Sequence, residues 1–234
     1  MTVAAPISSF SPACEPPIRV LVLSKYGSLA ASPRYRFEQF RPLLQEEGID
    51  LHLSPLLGDD YLQERLTTEA QPLRSVVTGF LRRLATLPRA GRWDLLWLHD
   101  ELFPYAPPWL ERALAHLGVP YVYDFDDAIF HGYDSHPRWW VRRALSEKVA
   151  AIIAGARAVT AGSPYLETYA RRYNTEVHAV PTVVDTTKYP VKAVSSDRRL
   201  RVAWIGSPDS SRFLAAARGG LVELAKRLDF TLVT

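Results

Sequence analysis

The sequence has little of what marks most specialised protein classes. It holds one cysteine, Cys14, so no internal disulfide can form and the cysteine-rich zinc sites are excluded. A reducing, cytoplasmic setting is the expectation. Its apolar runs, such as Val149 to Ala156 and Leu95 to Leu98, fall far short of the roughly 20 residues of a membrane-spanning helix. Residues 1–17 lack the basic start and apolar centre of a secretory signal, and their Ser, Pro and Ala content reads as a loose tail. No repeat with a period of about 20 to 50 residues and no low-complexity tract is present. The G-x-G-x-x-G dinucleotide fingerprint is missing, since Gly27 stands alone. A net charge of +3 is too small to argue for a nucleic-acid partner.

What is present is an ordinary globular composition, 47% hydrophobic and 23% charged over 234 residues, enough for a sizeable core. At about 100 to 200 residues per domain, this is one large domain or one and a half small ones. Apolar, β-rich runs alternate with helical patterns. The strands expected are Ile18 to Leu23, Asp50 to Pro55, Trp93 to His99, Val119 to Tyr123, Ala158 to Ala161 and Glu176 to Val180. Helices are expected over Tyr35 to Glu46, from Pro72, over Ala106 to Leu117, over Pro137 to Gly155 and over Pro164 to Arg172, with Gly48 and Gly118 closing two of them. This alternation predicts an α/β fold, a Rossmann-like, mainly parallel sheet flanked by helices. After Asp185 the periodicity lapses, which reads as a linker over 186–199. A strand at Leu200 to Ile205, a helical stretch from Ser210 or Ser211 interrupted at Gly219-Gly220, and a strand at Phe230 to Val233 follow. Two strands cannot close a core, so residues 200–234 read as the start of an incomplete second Rossmann-like domain after a first over 18–185.

Charge is unevenly placed. Arg74, Arg82, Arg83, Arg89 and Arg92 lie in a stretch free of acids, among Leu73, Val76, Val77, Phe80, Leu81, Leu84 and Leu87 at spacings of three and four. This amphipathic basic helix, over 73–92, suits either an anionic membrane surface or a sheet face with the arginines in solvent.

Ligands of parallel α/β sheets bind beyond the carboxyl ends of the strands. The loop after strand one, from Lys25 through Ser32, Arg34 and Arg36, leads into a helix and offers cations for a phosphate or carboxylate. Alternatively, Ser32 caps that helix and the arginines are solvated surface. His99-Asp100-Glu101 follows strand three, where a histidine can orient a substrate or act as a base. Asp124-Phe-Asp126-Asp127 follows strand four, with His131 beyond it. Three carboxylates there repel, so they call for a cation, hydrogen-bond donors or raised proton affinity. A magnesium or manganese site, a general base for an acceptor hydroxyl, and hydrogen bonding to sugar hydroxyls all fit, as do simple caps. Trp139-Trp140 opens a helix, where core packing is the expectation and a seat for a sugar or lipid group the alternative.

Val159-Thr-Ala-Gly-Ser163-Pro-Tyr-Leu166, then Tyr169-Ala-Arg-Arg-Tyr-Asn174, then Val177-His-Ala-Val-Pro181-Thr-Val-Val-Asp185 resembles the family 4 sugar-nucleotide glycosyltransferases. Lys25 to Arg36, Tyr123 to Ala128 and Val202 to Ser207 are also similar to a branch of that family. The resemblance implies a fold of two Rossmann-like domains, with the acceptor held by the first and a nucleotide-diphosphate sugar by the second. Transfer to an acceptor hydroxyl with retention, without a metal or other cofactor, is implied. The acceptor implied is a glycan, a glycolipid or a small molecule. Asp126 and Asp127 fall where relatives carry a His-Asp pair beside the acceptor, and become the catalytic candidates. Lys25, Ser32, Arg34, Arg36, His99, Asp124, His131 and Ser163 become acceptor-binding candidates, and Gly206 and Ser207 donor-binding ones. With most donor contacts expected beyond Thr234, the chain alone is expected to be inactive. The setting expected is cytoplasmic, peripheral on the inner face of the membrane. Two other classes remain open: a magnesium-dependent phosphohydrolase of the haloacid dehalogenase type, with Asp124 as nucleophile and Asp126 as acid, and a non-catalytic, membrane-associated glycan-binding module.

Overall fold

The computed structural model describes residues 16–68, 72–116, 118, 120–191, 200–204, 211–226 and 230–233. The chain divides into two compact units, residues 1–185 and 186–234. Gly206 and Ser207 lie outside the described residues, as do most of the amino-terminal tail and the second half of the expected linker.

The first unit runs β1 (Ile18–Tyr26), α1 (Ala31–Arg36), α2 (Arg41–Glu46), β2 (Ile49–Leu57), α3 (Asp59–Thr68), α4 (Leu73–Thr86), β3 (Leu95–His99), α5 (Trp109–His116), β4 (Tyr121–Phe125), α6 (His131–Asp134), α7 (Trp139–Leu145), α8 (Lys148–Gly155), β5 (Ala158–Ala161), α9 (Pro164–Ala170) and β6 (Val177–Ala179). The six strands form one sheet in the order β2-β1-β3-β4-β5-β6, and each pairing is parallel. This is an α/β Rossmann-like fold.

β1 shows why such a strand reads as a continuous apolar run. Leu21 and Leu23 enter one layer of core with Leu56, Leu96 and Leu98, while Val20 and Val22 enter the opposite layer with Phe37 and Leu51. Helices cover both faces, so neither set of alternate side chains can be polar.

Several boundaries differ from expectation. The helix expected over Tyr35 to Glu46 is two helices, because Pro42 sits in the first turn of α2; inside one continuous helix it would lack the N–H and clash with the preceding turn. The helix expected over Pro137 to Gly155 breaks at Ser146 and Glu147. Past that break, Lys148 is fully buried, 2.8 Å from Glu101 and 3.6 Å from Glu111. β4 lies two residues later than expected, which puts Asp124 inside the strand, paired in register with His99. Trp139 and Trp140 are not in the core: Trp139 is 68% exposed, and Val141 and Leu145 supply the buried face of α7.

α4 also divides what reads in sequence as one stripe. Val76, Phe80 and Leu87 pack on the core, whereas Leu73, Val77, Leu81 and Leu84 are exposed. Gly79 lets this helix press against β2. A Cβ there would stand 2.1 Å from the Leu56 carbonyl oxygen. Gly79→Ala gains helix propensity of about 1 kcal/mol, but the backbone contact cannot swing aside. A net loss of about 1–3 kcal/mol is expected, read from urea denaturation; unchanged stability would show that α4 can back away freely.

In the second unit, β7 (Leu200–Ala203) pairs in parallel with β8 (Phe230–Val233). Between them, α10 (Ser211–Ala216) and α11 (Arg218–Ala225) break at Ala217. Gly219 and Gly220 lie inside α11, so the interruption expected at these glycines occurs two residues earlier.

Candidate active site

The carboxyl ends of β1, β3, β4, β5 and β6 converge on one group of polar side chains. At its centre is a buried ion pair: Arg36, at the end of α1, donates from Nε to Asp124 Oδ2 at 2.6 Å and from Nη2 to Asp124 Oδ1. Thr160 of β5 donates to Oδ1 as well, since Asp124 and Thr160 are partners in the β4–β5 register. Arg36 Nη1 reaches the Val180 carbonyl at 3.0 Å and Thr182 Oγ1 at 3.1 Å. One guanidinium thus ties α1 to the ends of β4 and β6. Such a bidentate arrangement fixes geometry as well as charge.

Beside it stands His99, 2% exposed. Its Nε2 lies 3.5 Å from Asp126 Oδ1 and 3.8 Å from Asp124 Oδ2, and its Nδ1 lies 3.5 Å from Asp100 Oδ2. Burial alone would lower the imidazolium pKa. The carboxylates of Asp100, Asp126 and Asp124 outweigh that and raise it to about 9. Phe37 packs its edge against the ring. Asp100 is held at a φ of 62°, a left-handed conformation tolerated by Asp better than by most residues. Its carboxyl is pushed up to about 6, chiefly by burial.

Asp126 and Asp127 differ. Burial raises Asp126, but His99, the Ser32 hydroxyl and Arg36 more than offset it, and its carboxyl is held below the usual range. Asp127 is exposed and shifted upward by partial burial and by Asp126, against the pull of His99 and Lys25. Gly162 allows the β5 end to approach this loop, since a Cβ there would meet Asp126 Cα at 2.8 Å. The result is one ionised, well-held carboxylate next to one open carboxylate of higher proton affinity.

Not every candidate joins this group. Ser32 contributes through Asp126 rather than as a cap, for Ala30 occupies the cap position of α1. Arg36 is buried rather than solvated. Lys25 supplies positive charge to Asp100 and Asp127. Arg34 is exposed, its guanidinium 5.3 Å from the Tyr35 ring centre. His131 is occupied elsewhere, with Nδ1 3.1 Å from Asp134 and Nε2 2.7 Å from the Tyr165 hydroxyl. Ser163 accepts a hydrogen bond from Leu166 N as the N-cap of α9. Glu101 turns into the core with Lys148 and Tyr133. Thr160 and the role of Asp100 escape sequence reasoning; Thr160 sits among ordinary strand residues, and only the β4–β5 register brings it to Asp124, whereas Thr182, in the segment after β6, meets Arg36.

The carboxylates are balanced from within. Among the described residues, His99, Asp100 and Asp126 bring three donor atoms within 4.8 Å of one another, and the raised proton affinity of His99 sets a cation among these carboxylates. The phosphohydrolase reading fails on geometry, because both oxygens of the required nucleophile, Asp124, are committed to Arg36 and Thr160.

A family model described as a glycosyl transferase 4-like domain matches residues 17–185. The chain belongs to this family. The matched span ends where the first compact unit ends, so the glycosyl transferase 4-like domain and the six-stranded unit coincide. No curated protein matches the chain. Among the described residues no helix is long and apolar enough to cross a membrane. For a domain of this family, the strand-end cluster is the candidate for contact with the sugar-transfer substrates.

Proposed function

We propose that the six-stranded unit holds the acceptor for transfer of a sugar from a nucleotide-diphosphate donor to a hydroxyl, with retention of configuration and with no cofactor beyond the donor. The observation that carries this reading is the pairing of Asp126 and Asp127 beside a buried imidazolium at the end of β4. Asp127, open and of raised proton affinity, receives the hydrogen bond of the incoming hydroxyl. Asp126 and His99 are positioning residues that fix the loop and its charge. Negative charge developing on the departing diphosphate is met by donor-side contacts. The test is release of UDP or GDP from UDP-glucose and GDP-mannose by the full-length gene product. Asp127→Asn is expected to lower kcat about a hundredfold while donor binding persists. A protein that binds neither donor sinks the reading, and an Asp127→Asn protein of unchanged kcat removes Asp127 from it.

The exposed row Leu73, Val77, Leu81 and Leu84 on an arginine-bearing helix supports a peripheral place on an anionic membrane, at its cytoplasmic face. Sedimentation with phosphatidylglycerol vesicles, but not phosphatidylcholine vesicles, is expected, weakened by salt and lost in Leu81→Glu. Equal sedimentation with both lipids excludes this surface.

A further inference from the structure

The sheet carries a second concavity, whose lining shares no residue with the acidic cluster. It is a cavity of about 480 Å³ between α4 with the turn that follows it, β1, β2 and Trp93 before β3. Arg19, Arg82, Arg89 and Arg92 line it, together with His52 and Trp93. Arg82, Arg89 and Arg92 are exposed, and cations so gathered set up a positive field that attracts an anion. Within the fold they find almost none. Arg19 pairs with Asp94 at 3.4 Å in an exposed contact. Arg89 Nη1 donates only to the Ala85 carbonyl at 2.8 Å, and Arg82 Nη2 reaches the Pro55 carbonyl at 3.5 Å. No carboxylate among the described residues forms an ion pair with Arg82, Arg89 or Arg92.

An independent feature deepens the positive field. Arg83, only 1% exposed and next to Arg82 on α4, is not part of the lining but donates to the Ser24 and Ser54 carbonyls, each at 2.7 Å. Its Nε and Nη1 have no hydrogen-bond partner, and Ser54 itself lines the cavity. A buried guanidinium without a carboxylate is costly unless something else supplies negative charge nearby. The remaining wall is partly aromatic, with the His52 and Trp93 rings 5.2 Å apart. The volume is that of a small-molecule site, much larger than one inorganic phosphate needs.

We propose that this cavity binds a phosphate ester, with the phosphate held by Arg82, Arg89 and Arg92 and the organic body against His52 and Trp93. The ligand is either a free organic phosphate or the headgroup of a phospholipid. The site is separate from the transfer centre and stands independently of the acceptor reading.

Calorimetric titration with glucose 6-phosphate, AMP and pyrophosphate is the direct test, with phosphatidylglycerol vesicles as the second arm. Binding is expected to weaken about tenfold or more in the triple variant Arg82→Gln, Arg89→Gln, Arg92→Gln. It is expected to stay unchanged in Arg138→Gln, Arg143→Gln, Arg172→Gln, which removes the same charge elsewhere. Binding of a soluble probe without displacement by vesicles assigns a free organic phosphate; binding of vesicles that a soluble probe displaces assigns a headgroup; binding of vesicles alone belongs to the exposed face of α4 and overturns the cavity. No binding of any probe, or equal weakening in both triple variants, overturns the site. Should the first variant fail to fold, phenylglyoxal labelling of the unaltered protein decides: bound probe must protect Arg82, Arg89 and Arg92, and undiminished labelling overturns the proposal.

Discussion

Arg36→Met is expected to destabilise the protein by about 3–5 kcal/mol, the usual consequence of leaving one member of a buried ion pair behind. Arg36 holds Asp124 with two nitrogens and the segment after β6 with a third. Without it, a carboxylate 1% exposed keeps only Thr160 as a hydrogen-bond donor, with His99 Nε2 at 3.8 Å. Methionine fills most of the volume, so the cost comes from uncompensated charge rather than a void. Urea denaturation measures it. Adding Asp124→Leu to Arg36→Met is expected to restore part of the loss, because two apolar groups replace two charges. A single variant within about 1 kcal/mol of the parent would mean that water already reaches this pair.

The second large effect is a loss of stability in mild alkali. The imidazole of His99 is raised to about 9 in the folded protein against about 6.5 in an unfolded chain. Its stabilisation is therefore fully present below about 6.5 and disappears as pH rises through about 9. At about 1.4 kcal/mol for each unit of pKa, this is on the order of 3 kcal/mol. Asp100 acts in the opposite sense but in a different range. Its carboxyl, raised to about 6, favours the protonated form, so its ionisation weakens the fold between about pH 4 and 6. Above that it is already charged and adds no slope. Asp126, held low, keeps its contribution at neutral pH and yields it only in acid. Denaturation at pH 6.5 and pH 9.5 is expected to show the drop, and His99→Gln should flatten the curve across that interval. An NMR titration placing the His99 imidazole near its ordinary value would refute the arrangement of charges described above.

How much of this was legible beforehand depends on whether the cause was local. The strands of the sheet declare themselves through apolar runs, and Gly48 and Gly118 close their helices with positive φ as their positions suggest. α3 leaves little trace in the sequence because Asp59–Thr68 carries only Tyr61, Leu62 and Leu66 as large apolar residues. It is held instead by tertiary contacts: Asp59 accepts from Leu29 N and the Ser28 hydroxyl, each at 3.0 Å. The tryptophans of α7 stay exposed although sequence favours their burial, since a large apolar body says that burial would help, not that space exists.

The absences at the outset remain the firmest guide to class. With no internal disulfide, no long apolar helix and no dinucleotide fingerprint, the alternation of apolar runs and helical patterns suffices for an α/β sheet with candidate residues at the strand ends, and the motifs point to the family that the chain belongs to. Which charges meet is set by the folded chain alone. Arg36 and Asp124 are 88 residues apart, and Arg34, His131 and Ser163 looked as well placed as Arg36. Charge in a sequence has no direction. It acquires one when parallel register sets His99 beside Asp124 and when burial removes the water that would otherwise screen the difference between a buried ion pair and a solvated arginine.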